Sequence, residues 1–155
     1  MIRLLRVDDA FIHGRVALIW SRKLKLKQIL IVNDELINDD FMRITLELAK
    51  PRSVELEFIP FHQAYQRLQR QLQSESAAMV VVNKIADAKK ICQEFPEIRS
   101  VNIGGLKPKP FTTPRKISGN VVLDDADLKL CRQMIAMGVE IEIRQVPDEV
   151  RMIIC

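Results

Sequence analysis

The sequence predicts an α/β protein: a three-layer α/β/α domain whose central sheet has six or seven mostly parallel strands. Three observations carry that reading. Apolar runs rich in Ile, Leu and Val alternate with stretches of helical periodicity from end to end. A repeated strand–helix–strand order builds a parallel sheet with helices on both faces. The 155 residues suit a single domain, 1–155, with one core.

The elements follow in chain order. Residues 2–7 (IRLLRV) and 28–33 (QILIVN) read as buried strands. Between them, Val16, Ile19 and Trp20 share a helical face. Asn38 and Asp39 are candidate caps for a helix striped by Phe41, Ile44 and Leu48. Residues 54–59 (VELEFI) alternate and then turn apolar, and Tyr65, Leu68 and Leu72 form the next stripe. The most apolar run, 77–83 (AAMVVVN), is the expected central strand, followed by a helix with Ile85, Ala88, Cys92 and Phe95 on one side. Residues 100–105 (SVNIGG) and 120–123 (NVVL) are short strands. The segment 104–119, with three prolines and three glycines, is a long loop of the kind that compact domains keep for function. Leu128, Cys131 and Ile135 stripe the last helix, opened by acids at 124, 125 and 127 and closed by Gly138. Strict alternation over 139–146 (VEIEIRQV) suits an edge strand, or one wet on one side. All the helical stripes are expected to face the core.

Composition excludes several function classes. No run approaches the roughly 18 apolar residues of a membrane span. The N-terminal run has no small-residue cleavage site after it, so a cytoplasmic location is expected. Cys92, Cys131 and Cys155 are odd in number and widely spaced, as reduced thiols are. A net charge of +4 is too mild to imply nucleic acid. The basic cluster 21–27 (SRKLKLK) reads either as a solvated helix end favoured by the dipole or as a docking patch for an acidic partner or membrane.

The stretch RVDDAFIHGRVALIW, residues 6–20, carries the chemistry. In open parallel sheets, ligands bind at the carboxyl ends of strands. Asp8, Asp9 and His13 fall at such an end, and the first helix opens at Gly14-Arg15. A group on His13 would face unpaired helix N–H donors, which favour an anion and phosphate above all. Gly14 would let the backbone approach closely. Three readings stand side by side. His13 accepts a phosphoryl group, since a neutral imidazole nitrogen attacks phosphorus without first losing a proton. Alternatively Asp8, Asp9 and His13 bind a metal, although no fourth ligand is evident. Or His13 caps the helix through a local hydrogen bond. A receiver domain of two-component signalling is excluded, because the third strand ends Phe58-Ile59-Pro60-Phe61 without the acceptor aspartate.

The same stretch resembles the signature of the IIB subunits of the mannose/fructose/sorbose class of the bacterial sugar phosphotransferase system, approximately R-[IV]-D-D-R-[LF]-[IV]-H-G-Q-V with a Trp near the end of the first helix. Arg6, Asp8, Asp9, Ile12, His13, Gly14, Val16 and Trp20 match it. ILIVND (29–34), VNIGG (101–105), KIS (116–118) and GVEIEIRQVPDE (138–149) resemble later parts of the family, so the likeness spans the chain.

That resemblance implies a phosphocarrier. His13 would receive a phosphoryl group from a phosphohistidine on a IIA partner and pass it to a sugar held by membrane IIC and IID subunits, with which the cytoplasmic protein associates peripherally. No metal, nucleotide or other cofactor takes part, and the family precedent for the reacting nitrogen is Nδ1. Asp9 is expected as an orienting acid. Arg15, Gly14 and Phe11 are expected at the phosphate, Phe11 by excluding water. Asp8, Asp34, Asn102, Gly104 and Gly105 are expected at the pocket rim. For Asn102-Ile103-Gly104-Gly105 a tight turn that needs glycine dihedrals is the other reading, and Asp34 serves equally as a cap. Segment 107–116 is either a rim that meets the partner or a Pro-stiffened loop, and His62 is a surface or capping residue. Two departures matter. The family places Arg three residues before the histidine and Gln two residues after it; here stand Ala10 and Arg15. Arg15 would restore the missing charge from the helix side. Otherwise Ala10 marks a non-catalytic binding or regulatory relative. The sequence leaves the sugar undetermined and a homodimer open.

Overall fold

The computed structural model describes residues 1–155. Nine strands and five helices follow in order: β1 (Ile2–Asp8), α1 (Gly14–Leu24), β2 (Gln28–Val32), α2 (Asp40–Ala49), β3 (Glu55–Ile59), α3 (Phe61–Gln73), β4 (Ala78–Val82), α4 (Ile85–Glu94), β5 (Ser100–Gly105), β6 (Arg115–Lys116), β7 (Val122–Leu123), α5 (Asp125–Ala136), β8 (Glu140–Ile143) and β9 (Met152–Ile154). A short 3-10 turn, Glu35–Asn38, precedes α2. The main sheet has seven strands in the order β3-β2-β4-β1-β5-β8-β9. All its pairings are parallel except β8 with β9.

Period-two alternation sorts β1 between two apolar layers. Leu5 and Val7 join the larger core, with Ala64 and Leu68 of α3, Ile85 and Ala88 of α4, and Cys131 and Met134 of α5. Leu4 points the other way, into a smaller core with Ala17 and Trp20 of α1 and Leu46 of α2. Helices α1 and α2 therefore cover one face and α3, α4 and α5 the other. The central position expected for 77–83 is met, since β4 lies between β2 and β1 and every residue of it is buried.

Two expectations need correction. Residues 139–146 do not form an edge strand: β8 is interior, with antiparallel β9 on its outer side. Glu142 is buried, and its carboxylate is covered by Arg144 and by Arg151, which β9 brings in. Residues 120–123 do supply the expected short strand: β7 pairs antiparallel with β6 from within the long loop, and Val121 bridges Leu106 just beyond β5. The stripe Phe41, Ile44 and Leu48 faces solvent at 79%, 61% and 83% exposure, because α2 seats itself through Leu46 and Met42 instead. No helix is long and apolar enough to cross a membrane.

Candidate functional site

The alternation that places Leu4 under α1 also places Arg6 and Asp8 there. Arg6 is 2% exposed, and its guanidinium lies 5.9 Å from the Trp20 ring of α1. Parallel register sets Asn102 of β5 directly beside it. Arg6 Nη1 donates to Asn102 Oδ1 at 2.7 Å and to the Gln145 carbonyl at 3.1 Å, while Nη2 donates to Asp8 Oδ2 at 3.1 Å. Burial pulls the Arg6 guanidinium below its ordinary pKa, and the charge of Asp8 opposes that shift. A buried charge with this many partners is compensated rather than free.

Asp8 is thus fixed from below. Its other oxygen, Oδ1, accepts from the Ala10 N–H at 3.0 Å and lies 3.9 Å from His13 Nε2. At that distance the contact with His13 is electrostatic rather than a hydrogen bond. Above it, the loop turns tightly. Phe11 N–H donates to the Asp8 carbonyl, and Ile12 N–H to the Ala10 carbonyl. Phe11 takes φ 60°, a left-handed backbone that costs a non-glycine residue about 1–2 kcal/mol. Its ring is 8% exposed in the α1/α2 layer, and that burial offsets the strain. The result is a half-exposed imidazole, 53% accessible, at the N-cap of α1, where it makes no side-chain capping bond. The first N–H groups of α1 have no intrahelical acceptors.

A cleft of about 300 Å³ opens beside the ring, lined by Asp8, Asp9, His13, Gly105, Lys107 and Asn120 among others. Gln145 also lines it. Gln145 accepts from Trp20 Nε1 through its carbonyl and from Asn120 Nδ2 through its side chain. The cleft is polar and open, and Lys107 and His13 share its lining with two carboxylates that are already engaged, Asp8 by Arg6 and Asp9 by the Lys107 N–H. A larger groove of about 490 Å³ lies at the opposite end of the strands, among Met1, Arg3, Lys23, Lys25 and Lys27, and shares no residue with this loop.

The expected residues distribute as follows. Asp8, Asp9, His13 and Gly105 line the cleft. The acid facing His13 is Asp8, not Asp9; Asp9 Oδ2 instead accepts from the Lys107 N–H at 2.7 Å and ties the long loop to the strand end. Asn102 is buried beneath the cleft rather than on its rim. Gly104 is buried too, and a Cβ there would lie 1.9 Å from Arg6 Nη2. Neither Gly104 nor Gly105 has a positive φ, so the turn reading fails for both; β5 runs through them. Gly14 makes room for the end of α2, since its Cβ position is 3.2 Å from the Ala49 carbonyl oxygen. Phe11 anchors the loop from below and does not line the cleft. Arg15 is exposed in the first turn of α1, outside the cleft lining. Asp34 accepts from the Phe61 N–H at 2.8 Å and caps α3. His62 is exposed in the first turn of the same helix. Lys107 opens the segment 107–116 expected as a rim, whereas sequence reasoning missed Asn120 and Gln145, which the fold brings in from separate segments.

The sequence profile described as PTS system sorbose subfamily IIB component matches residues 2–154. The chain belongs to this family. This IIB protein is 29% identical over 150 residues to the sorbose-specific EIIB component of Lacticaseibacillus casei, covering 96% of this chain and 90% of that one. It is 25% identical over 149 residues to the mannose-specific EIIAB component of Escherichia coli, covering 96% of this chain but 46% of that longer protein. Among solved structures, the IIBSor domain of the Klebsiella pneumoniae sorbose permease superposes with a TM-score of 0.88 at 25% identity, covering 98% of this chain and 92% of that one. IIB components of this system are phosphotransferases, and the three-layer, mostly parallel architecture is theirs.

Proposed function

We propose that this protein carries a phosphoryl group on His13, from a phosphohistidine of a IIA partner to a sugar bound by membrane IIC and IID subunits. The observation that supports it most is the half-exposed imidazole at the start of α1, with the buried Asp8 carboxylate behind Nε2 and an anion-sized cleft beside it. The Nδ1 lone pair attacks the donor's phosphorus as the donor's P–N bond breaks and its electron pair returns to the donor ring. The ring of His13 then carries positive charge, which Asp8 stabilises. A loose transition state of this kind needs positioning and positive charge. The amides at the start of α1 supply part of that, and Lys107, on the cleft lining, stands in for the arginine absent at Ala10. In the second step a sugar hydroxyl attacks phosphorus, the His13 P–N bond breaks, and the hydroxyl proton passes to a base beside the sugar.

The test is incubation with radiolabelled phosphoenolpyruvate, the general phosphotransfer proteins and a cognate IIA. Acid-labile, alkali-stable label on the wild type, absent from His13→Ala, is the expected result. Asp8→Asn slows labelling at least about tenfold, or about 1.4 kcal/mol of barrier. An unlabelled wild type beside a fully labelled IIA overturns the reading and favours a binding relative without transfer.

A further inference from the structure

The exposed stripe on α2 has no partner within the chain. Ile37 on the preceding 3-10 turn is 42% exposed, and Phe41, Ile44 and Leu48 continue it at spacings of four, three and four along one side of the helix. Scattered surface apolar groups are ordinary, whereas a contiguous row marks a contact surface. Its position says what the contact is. Leu48 immediately precedes Ala49, whose carbonyl abuts Gly14, the neighbour of His13. The row therefore runs up to the phosphoacceptor loop.

We infer that this α2 stripe is the docking surface for the IIA phosphoryl donor. The inference rests on the phosphocarrier reading above and adds to it the side from which the donor arrives. Any protein that hands phosphorus to His13 must cover the surface around that ring. A transient donor buries a small patch, typically under about 1,200 Å² in all, and a four-residue anchor suits that scale. Other occupants fit worse. Of the acids that border the row, Glu35 pairs with Lys84 and Asp40 with Arg43, while Asp39 and Glu47 are also exposed, so the row lacks the excess of lysine and arginine that helices lying on membranes carry. A stable pairing of two copies through α2 would crowd both His13 loops and obstruct transfer.

The test compares the wild-type chain with the Phe41→Ala/Leu48→Ala double variant, whose altered side chains face solvent. Two phosphodonors are used: phosphorylated IIA, and phosphoramidate, a small donor that needs no docking surface. The variant's KM for phospho-IIA rises about tenfold or more, equivalent to about 1.4 kcal/mol, while labelling by phosphoramidate is unchanged. In the wild type, methyl signals of Ile44 and Leu48 shift when unphosphorylated IIA is added. An unchanged KM, or methyl signals that stay still while those of the His13 loop move, overturns the inference. So does a double variant that loses only self-association or binding to anionic vesicles. Failure of the wild type with both donors overturns the phosphocarrier reading itself, a result distinct from these.

Discussion

At Gly104 an added methyl group would meet the Arg6 guanidinium, whose three terminal atoms all lie within 2.7 Å of the Cβ position. That guanidinium cannot yield easily, because Asn102, Gln145 and Asp8 hold it at once. Gly104→Ala therefore costs about 1–3 kcal/mol of stability, measured by urea denaturation, as overfilling of a packed site does. It also slows His13 labelling, because Asp8 loses its anchor. Gly105→Ala is the control: its Cβ would meet nothing nearer than 3.6 Å, so stability is nearly retained. Equal losses at both positions would show that Gly104 serves the strand generally rather than making room for Arg6. Part of this was legible early. Counting in twos from Leu4 puts Arg6 and Asp8 on one face and sends Asp9 elsewhere. The pairing of Arg6 with Asn102 depends on the register between β1 and β5, across 96 residues, which no local pattern records.

Helices α2 and α5 show which element signals can be read and which cannot. For α5 the acids at its start act as expected. Asp124 accepts from the Asp127 N–H at 2.7 Å, Asp127 returns the bond, and Gly138 closes the helix at φ 90°. For α2 the sequence holds two apolar rows, Phe41-Ile44-Leu48 and Met42-Leu46-Ala49. Periodicity finds both and cannot say which faces inward; packing against Phe11 and Val54 decides for the second. Strand β9 was missed because three residues at the chain end carry almost no pattern, and with it went the reason Glu142 can be buried. The cap on α5 makes its own prediction. The backbone N–H of Asp127, helped by Lys109, holds the Asp124 carboxyl below its ordinary 3.8. The folded chain thus binds fewer protons there than the unfolded chain. The stabilisation is present above 3.8 and is lost as pH falls through the lower folded value. Asp124→Asn keeps an accepting oxygen but cannot titrate. Its urea midpoint should lie below the wild type near neutrality, fall less steeply in acid and converge on the wild type there, where the carboxylate is protonated. Parallel pH profiles would show that the cap contributes no acid sensitivity.

Across the whole molecule, the two layers differ in what they seal. Cys92 and Cys131 lie in the larger core, where burial pushes both thiols up to about 11. Cys155 at the chain end is exposed. At neutral pH an aromatic disulfide reagent should therefore modify one thiol per native chain at once. The other two should react only as fast as the protein unfolds, reaching three in denaturant. Prompt reaction of all three would mean that the α3, α4 and α5 layer opens locally. The smaller layer, by contrast, is where β1, β5 and the segment after β8 meet under Trp20, and Asp8 owes its aim to all of them. The histidine loop is consequently not a portable cassette. Grafting residues 8–14 onto another strand–turn–helix would carry over the ring but leave behind the buttress that points the carboxylate at it, so a recipient scaffold must import the Arg6–Asn102–Gln145 foundation along with the peptide.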